Sequence, residues 1–122
     1  MELFADGISL GRDKDRRTTT DFVIPGNTKI IAVAAMSFRS HSGIRGSFSN
    51  GLVTNSSWKC SDRFHLGWNI RGFDDRDWPA AVEFPSHKGD GLEGNIAGID
   101  PTAKWIWTIK QRVSCYCRVN LQ

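Results

Sequence analysis

Residues 29–38 read Lys29-Ile30-Ile31-Ala32-Val33-Ala34-Ala35-Met36-Ser37-Phe38. The stretch from Ile30 to Met36 is the longest apolar run in the chain. It is far shorter than the ~20 apolar residues a membrane-spanning helix needs. It is also rich in Ile, Val and Ala, so it fits a central β-strand buried on both faces. Pro25-Gly26-Asn27 just before it reads as a turn. Further toward the N-terminus, Leu3-Phe4-Ala5 and Ile8-Ser9-Leu10 flank Asp6-Gly7. That is a hairpin pattern, because Asp-Gly accepts the positive φ of a tight turn. Thr18 to Ile24 is β-branched and aromatic, and is expected to be another strand.

Working toward the C-terminus, Gly43 to Phe48 and Leu52-Val53-Thr54 flank Ser49-Asn50-Gly51, a second hairpin pattern. Ala80 to Phe84 reads as a short strand, and Trp105-Ile106-Trp107 and Val113 to Leu121 as two closing strands. Residues 56–79 and 85–101 are irregular, and the first of these holds Trp58, Phe64, Trp68, Phe73 and Trp78 among turn residues. No segment keeps a helical period beyond one or two turns. Short strands at close spacing with Gly and Asn turns predict an all-β, antiparallel β-sandwich, with a closed barrel as the alternative. At 122 residues one domain, spanning 1–122, is expected.

Charge excludes some functions. Lys and Arg number 16 against 13 Asp and Glu, a mild excess. In Arg12-Asp13-Lys14-Asp15-Arg16-Arg17 the two signs alternate, which suits a solvated loop better than a phosphate-binding patch. Neither nucleic-acid binding nor membrane insertion is expected. The three histidines, His41, His65 and His87, stand in no G-x-S-x-G, H-E-x-x-H or Gly-rich phosphate motif. The paired carboxylates Asp74 and Asp75 are explained by a turn role, so the chain is not expected to be an enzyme.

There are three cysteines, Cys60, Cys115 and Cys117. Cys115 and Cys117 are two apart on an expected strand, so both sulfurs point to one face. The spacing is not that of a zinc site. One disulfide from Cys60 to Cys117 or to Cys115 is expected, leaving one thiol over. Asn55-Ser56-Ser57 is a glycosylation sequon. With the cysteines it favours a secreted, extracellular protein. The start, Met1-Glu2-Leu3-Phe4-Ala5-Asp6, carries no leader pattern, so the sequence is either a mature form or not secreted.

Two patterns go further: Gly72-Phe73-Asp74-Asp75-Arg76-Asp77-Trp78-Pro79-Ala80-Ala81 and Ala103-Lys104-Trp105-Ile106-Trp107. The pair resembles the galactose-binding-domain-like jelly-roll modules of secreted animal proteins and glycoside hydrolases. In those modules an FDD-x-x-W-x-x-A segment precedes an A-x-W-I-W strand. Asp6-Gly7-Ile8-Ser9-Leu10-Gly11, Pro25 to Val33, Trp58-Lys59-Cys60 and Tyr116-Cys117-Arg118 are similar to other pieces of the same pattern. The resemblance implies a jelly roll, a Cys60–Cys117 disulfide, and a structural role for the motif residues. Cys115 departs from the pattern. Independently of the family, an aspartate in FDD can cap a tight turn. Phe73, Trp78, Trp105 and Trp107 are expected to be core.

Tracing the strands alternately puts Asp6-Gly7, Pro25 to Thr28 and Asn50-Gly51 at one end of the sandwich. Arg12 to Arg17, Arg39 to Gly43 and the stretch Asn55 to Cys60 fall at the other. Jelly-roll modules generally bind through loops at one end, so the resemblance makes the second, more polar end the expected site. Its candidates are Asp13, Lys14, Asp15, Arg16, Arg39, His41 and Arg45, with His87, Asp90 and Glu93 from the long loop. Carboxylates accept from sugar hydroxyls, and Arg or His donates to them. Trp68, outside the motifs, is the expected free aromatic for stacking on a sugar ring. Asp13, Asp15 and Asp90 offer a minor route to structural calcium, and no other cofactor is expected. The functional expectation is a lectin binding glycans, with galactose-type sugars first, and multivalent as a homo-oligomer. The alternatives are a structural or adhesive module with a protein or matrix partner, and a basic defence protein acting on anionic surfaces.

Overall fold

The computed structural model describes residues 1–12, 21–36, 43–84, 99–108 and 114–121. Within them the chain is all-β, with antiparallel strands in two sheets. The strands are β1 (Glu2–Ala5), β2 (Ile8–Arg12), β3 (Ile30–Met36), β4 (Lys59–Ser61), β5 (Val82–Phe84), β6 (Trp105–Trp107) and β7 (Ser114–Asn120). The five-stranded sheet has the order β2-β1-β3-β7-β4, and β5 pairs with β6 in the second sheet.

The apolar run lies where its composition put it. β3 sits between β1 and β7, and its residues 30–33 are all buried. Side chains alternate across a strand, so the register sorts the sheet into two faces. Leu3, Ala5, Ile31, Val33, Cys115, Cys117 and Val119 share one face and pack with Ile44, Trp58, Ala81, Ile106 and Trp107. Ala32 packs on the other with Trp68 and Trp78, against Phe4, Ala34, Phe73 and Tyr116. The second sheet covers the first face. The loop running from Phe64 to Trp78 covers the other.

The Asp6-Gly7 hairpin forms as read, with φ of 48° and 86° at its two turn residues. Both values are positive, as a two-residue turn between twisted strands requires. The turn glycine has a second reason to lack a side chain: a Cβ there would lie 2.6 Å from Ile70 Cγ2. Ser49-Asn50-Gly51 also turns, with Gly51 N–H donating to Phe48 O and Leu52 N–H to Asn50 Oδ1. Its flanks pair only through single bridges, Ser47 with Val53 and Ile44 with Ile106. The buried Thr54 hydroxyl closes this region. It accepts from Gly46 N–H and donates to Lys104 O at 2.7 Å, satisfying a polar group that burial would otherwise penalise.

The structure corrects three expectations. Asp21 to Ile24 form no ladder; Phe22 and Ile24 pack against the core from a non-strand segment. Residues 18–20 lie outside the described residues. The stretch 56–79 is not wholly irregular: Lys59–Ser61 form β4, paired with β7. Three residues are too short to show a period, and the partner strand decides the matter. Finally, β4 runs antiparallel to β7 and so starts on the Asp6–Gly7 side, which puts the approach from Asn55 at that side, not the opposite one.

Trp105, 7% exposed, belongs to the packing and not to a surface platform. Its ring lies so close to Gly43 that a Cβ there would meet it at 2.7 Å. Trp105→Ala is expected to lower the urea-unfolding free energy by ~3–5 kcal/mol. A variant of unchanged stability would show that the ring is not core.

Candidate functional site

The geometry of the Asp6 end is built by backbone donors. Lys29 N–H and Ile30 N–H donate to the Asp6 carboxylate at 3.1 and 2.9 Å. The Arg71 guanidinium adds a hydrogen bond to Asp6 Oδ2 at 3.0 Å and another to Asn27 O. Beside this knot lies an open concavity of about 320 Å³, lined by Lys29, Ile30, Arg71, Gly72, Asn120 and Leu121. It offers two cations and one amide, which suit hydroxyl or carboxylate oxygens.

The FDD segment resolves into separate roles. Asp74 caps its own turn, accepting from Arg76 N–H and from the Arg76 side chain. The Arg76 hydrogen bonds hold its carboxyl below the usual range. Asp75 reaches inward instead. Arg118 Nη1 donates to Asp75 Oδ2 at 2.7 Å and to Phe73 O at 3.1 Å, while Nη2 donates to Ile70 O. The guanidinium also lies 5.2 Å from the Phe73 ring centroid. Arg118 is 2% exposed. Lys59 Nζ gives Asp75 a second cation at 3.6 Å.

Of the expected ligand residues, Asp13, Arg16, Arg39, His41 and Asp90 lie outside the described residues, as do Lys14, Asp15, His87 and Glu93. So does the set proposed for calcium. Arg45 is described: its Nε donates to Ala103 O at 2.9 Å, and its guanidinium lies 6.0 Å from the Trp105 ring. Trp68 is not a free aromatic. It is 4% exposed and packed edge-on against Phe4 and Tyr116. All five tryptophans are in fact buried. The exposed aromatic of the described surface is Phe64, in the stretch expected to be irregular. It sits on one loop with exposed Leu66 and Ile70, and three apolar residues within seven positions of a turn-rich stretch were the available signal. Asn55 is half-buried, its Oδ1 accepting from Ser57 N–H.

Cys60 and Cys117 face each other across β4 and β7 and form the disulfide. Cys115 is the free thiol, buried on the same face, with its sulfur 3.3 Å from Cys117 Sγ. Burial pushes this thiol up to about 12, against a backbone N–H of Thr108 that lowers it, while the Asp62 charge raises it further.

At Asp6, desolvation raises the carboxyl pKa, but the Arg71 hydrogen bond and the two backbone donors outweigh it and the net shift is downward. A lowered folded-state pKa contributes stability above the unfolded value of about 3.9, and that stability is lost as pH falls through the folded value. Asp6→Asn keeps a residue that tolerates positive φ. It is expected to be less stable than the parent at pH 7, with the gap narrowing toward pH 3 in urea titrations. An equal gap at both pH values would remove the charge from the explanation.

Comparison with models of known protein families, with curated proteins and with solved structures finds no match.

Proposed function

We propose that the chain is an extracellular, non-catalytic carbohydrate-binding protein. In this reading it is a jelly-roll lectin that recognises galactose-type sugars through loops at one end of the sandwich. The observation that supports it is the placement of the two signature segments. Asp75, Phe73 and Trp78 bind the covering loop to the sheet, and Trp105 and Trp107 fill the interior. These residues hold the scaffold, as the resemblance to galactose-binding-domain-like modules implies, and leave ligand contact to the loops. Asp13, Asp90, Arg16, Arg39 and His41 supply the acceptors and donors a saccharide needs. The protein is secreted, carries a glycan on Asn55 and acts as a homo-oligomer, since single sugar sites are weak and gain by multivalency.

One observation favours a second reading, a module that binds a protein partner. Phe64, Leu66 and Ile70 expose 60%, 90% and 47% of their surface on one loop. Grouped apolar exposure of this kind marks interaction surfaces.

A glycan array with free-sugar competition separates the two. Selective binding blocked by galactose or N-acetylgalactosamine is expected. Asp13→Ala or His41→Ala should then reduce binding at least tenfold with the melting temperature unchanged. Absence of any selective glycan would reject the lectin reading. Matrix binding that Phe64→Ser weakens would establish the second.

A further inference from the structure

We propose that the Cys60–Cys115–Cys117 cluster is a redox-gated binding site for a soft monovalent d¹⁰ cation of the Cu(I) type. The site is closed while the Cys60–Cys117 disulfide is intact and opens when that bond is reduced.

The argument is one of donor chemistry and placement. The three sulfurs lie within 4.8 Å of one another, and each residue is fully buried. Strand geometry fixes this arrangement. Cys115 and Cys117 are two apart on β7 and so point to one face. Cys60 comes from β4 directly opposite Cys117. Metal–sulfur bonds of about 2.3 Å put three sulfurs around a central ion roughly 4 Å apart. The Cys115–Cys117 separation of 3.3 Å is shorter than that spacing, so the sulfurs spread by side-chain rotation when the ion enters.

The donor count selects the ion. Thiolates select soft metals such as Cu(I) and Zn(II). The cluster holds three sulfurs and, among the described residues, no histidine or carboxylate joins it. Structural zinc takes four ligands, so three donors in an apolar surround favour a three-coordinate monovalent ion.

The chemistry balances. A dithiol reductant breaks the Cys60–Cys117 bond, gives it two electrons and two protons, and leaves as its own cyclic disulfide. The cation then displaces thiol protons to solvent as sulfur–metal bonds form. Affinity therefore rises with pH. The pair of states needs no change of strand register, because the same three side chains serve both.

The full chain is reduced anaerobically on an immobilised dithiol resin and titrated with Cu(I) in acetonitrile-containing buffer. Near-UV circular dichroism monitors folding throughout. One copper retained per reduced chain after desalting is expected, with a thiolate-to-copper absorption band in the near ultraviolet. None is expected in the oxidised chain. Reduced Cys115→Ala, which keeps the ladder pair Cys60 and Cys117, should bind at least tenfold more weakly. Four results would each overturn the proposal. They are equal retention by reduced Cys115→Ala, retention by the oxidised chain, preferential retention of Zn(II) in direct competition, and loss of the near-UV signal on reduction.

Discussion

A buried arginine organises one side of this molecule. Arg118 stands on β7 at the face opposite the cysteines, where a guanidinium would ordinarily reach solvent. It is instead covered by the segment from Ile70 to Asp75 and donates to two carbonyls and one carboxylate of that segment. A charge taken out of water is tolerated only when paired and hydrogen-bonded. The covering loop has no ladder of its own to hold it there. Arg118 supplies the buried part of that hold, beside the more exposed Arg71–Asp6 and Lys59–Asp75 pairs, and Phe73 and Trp78 pack beneath it in an edge-to-face pair with Trp68 alongside. The second face of the sheet is thereby closed without a second sheet on that side.

The other face is closed by a different means. β5 and β6 bring Ile106 and Trp107 over the cysteines, and Thr54 stitches the bridging segment to Lys104. β3 is buried on both sides because two unlike covers meet across it. The disulfide then joins the last strand of the sheet, β4, to β7. A short strand with only three paired residues gains most from such a link, since its ladder alone is small.

Much of this was legible. The run from Ile30 to Met36 announced a central strand, buried on both faces over residues 30–33 but emerging to an exposed Met36, and Asp6-Gly7 announced a hairpin, because each signal is local. The core role of Trp105 and Trp107 followed from their spacing on one strand. β4 was not legible, since a three-residue strand exists only through its partner. The burial of Trp68 was not legible, because an aromatic in a turn-rich stretch carries no period to say which way it points. Arg118 was hidden for a related reason: alternation gives a residue's face, but not whether that face is covered. The candidate ligand loops rested on chain tracing and resemblance. Of that set the described residues include Arg45, already engaged with Ala103 and Trp105, and Trp68, packed in the core.

The central claim is that the Asp75–Arg118 pair holds the covering loop to the sheet, and a double-mutant cycle tests it most directly. Urea unfolding would be measured for Asp75→Asn, Arg118→Met and the double variant. Asp75→Asn leaves the buried Arg118 charge without its carboxylate and is expected to cost ~3–5 kcal/mol. Arg118→Met leaves Asp75 to Lys59 and two carbonyls without a donor, and is expected to cost less, with the double variant losing well under the sum. Additivity within ~0.5 kcal/mol would contradict the account, because it would mean that the two residues act independently and the loop is held by something else.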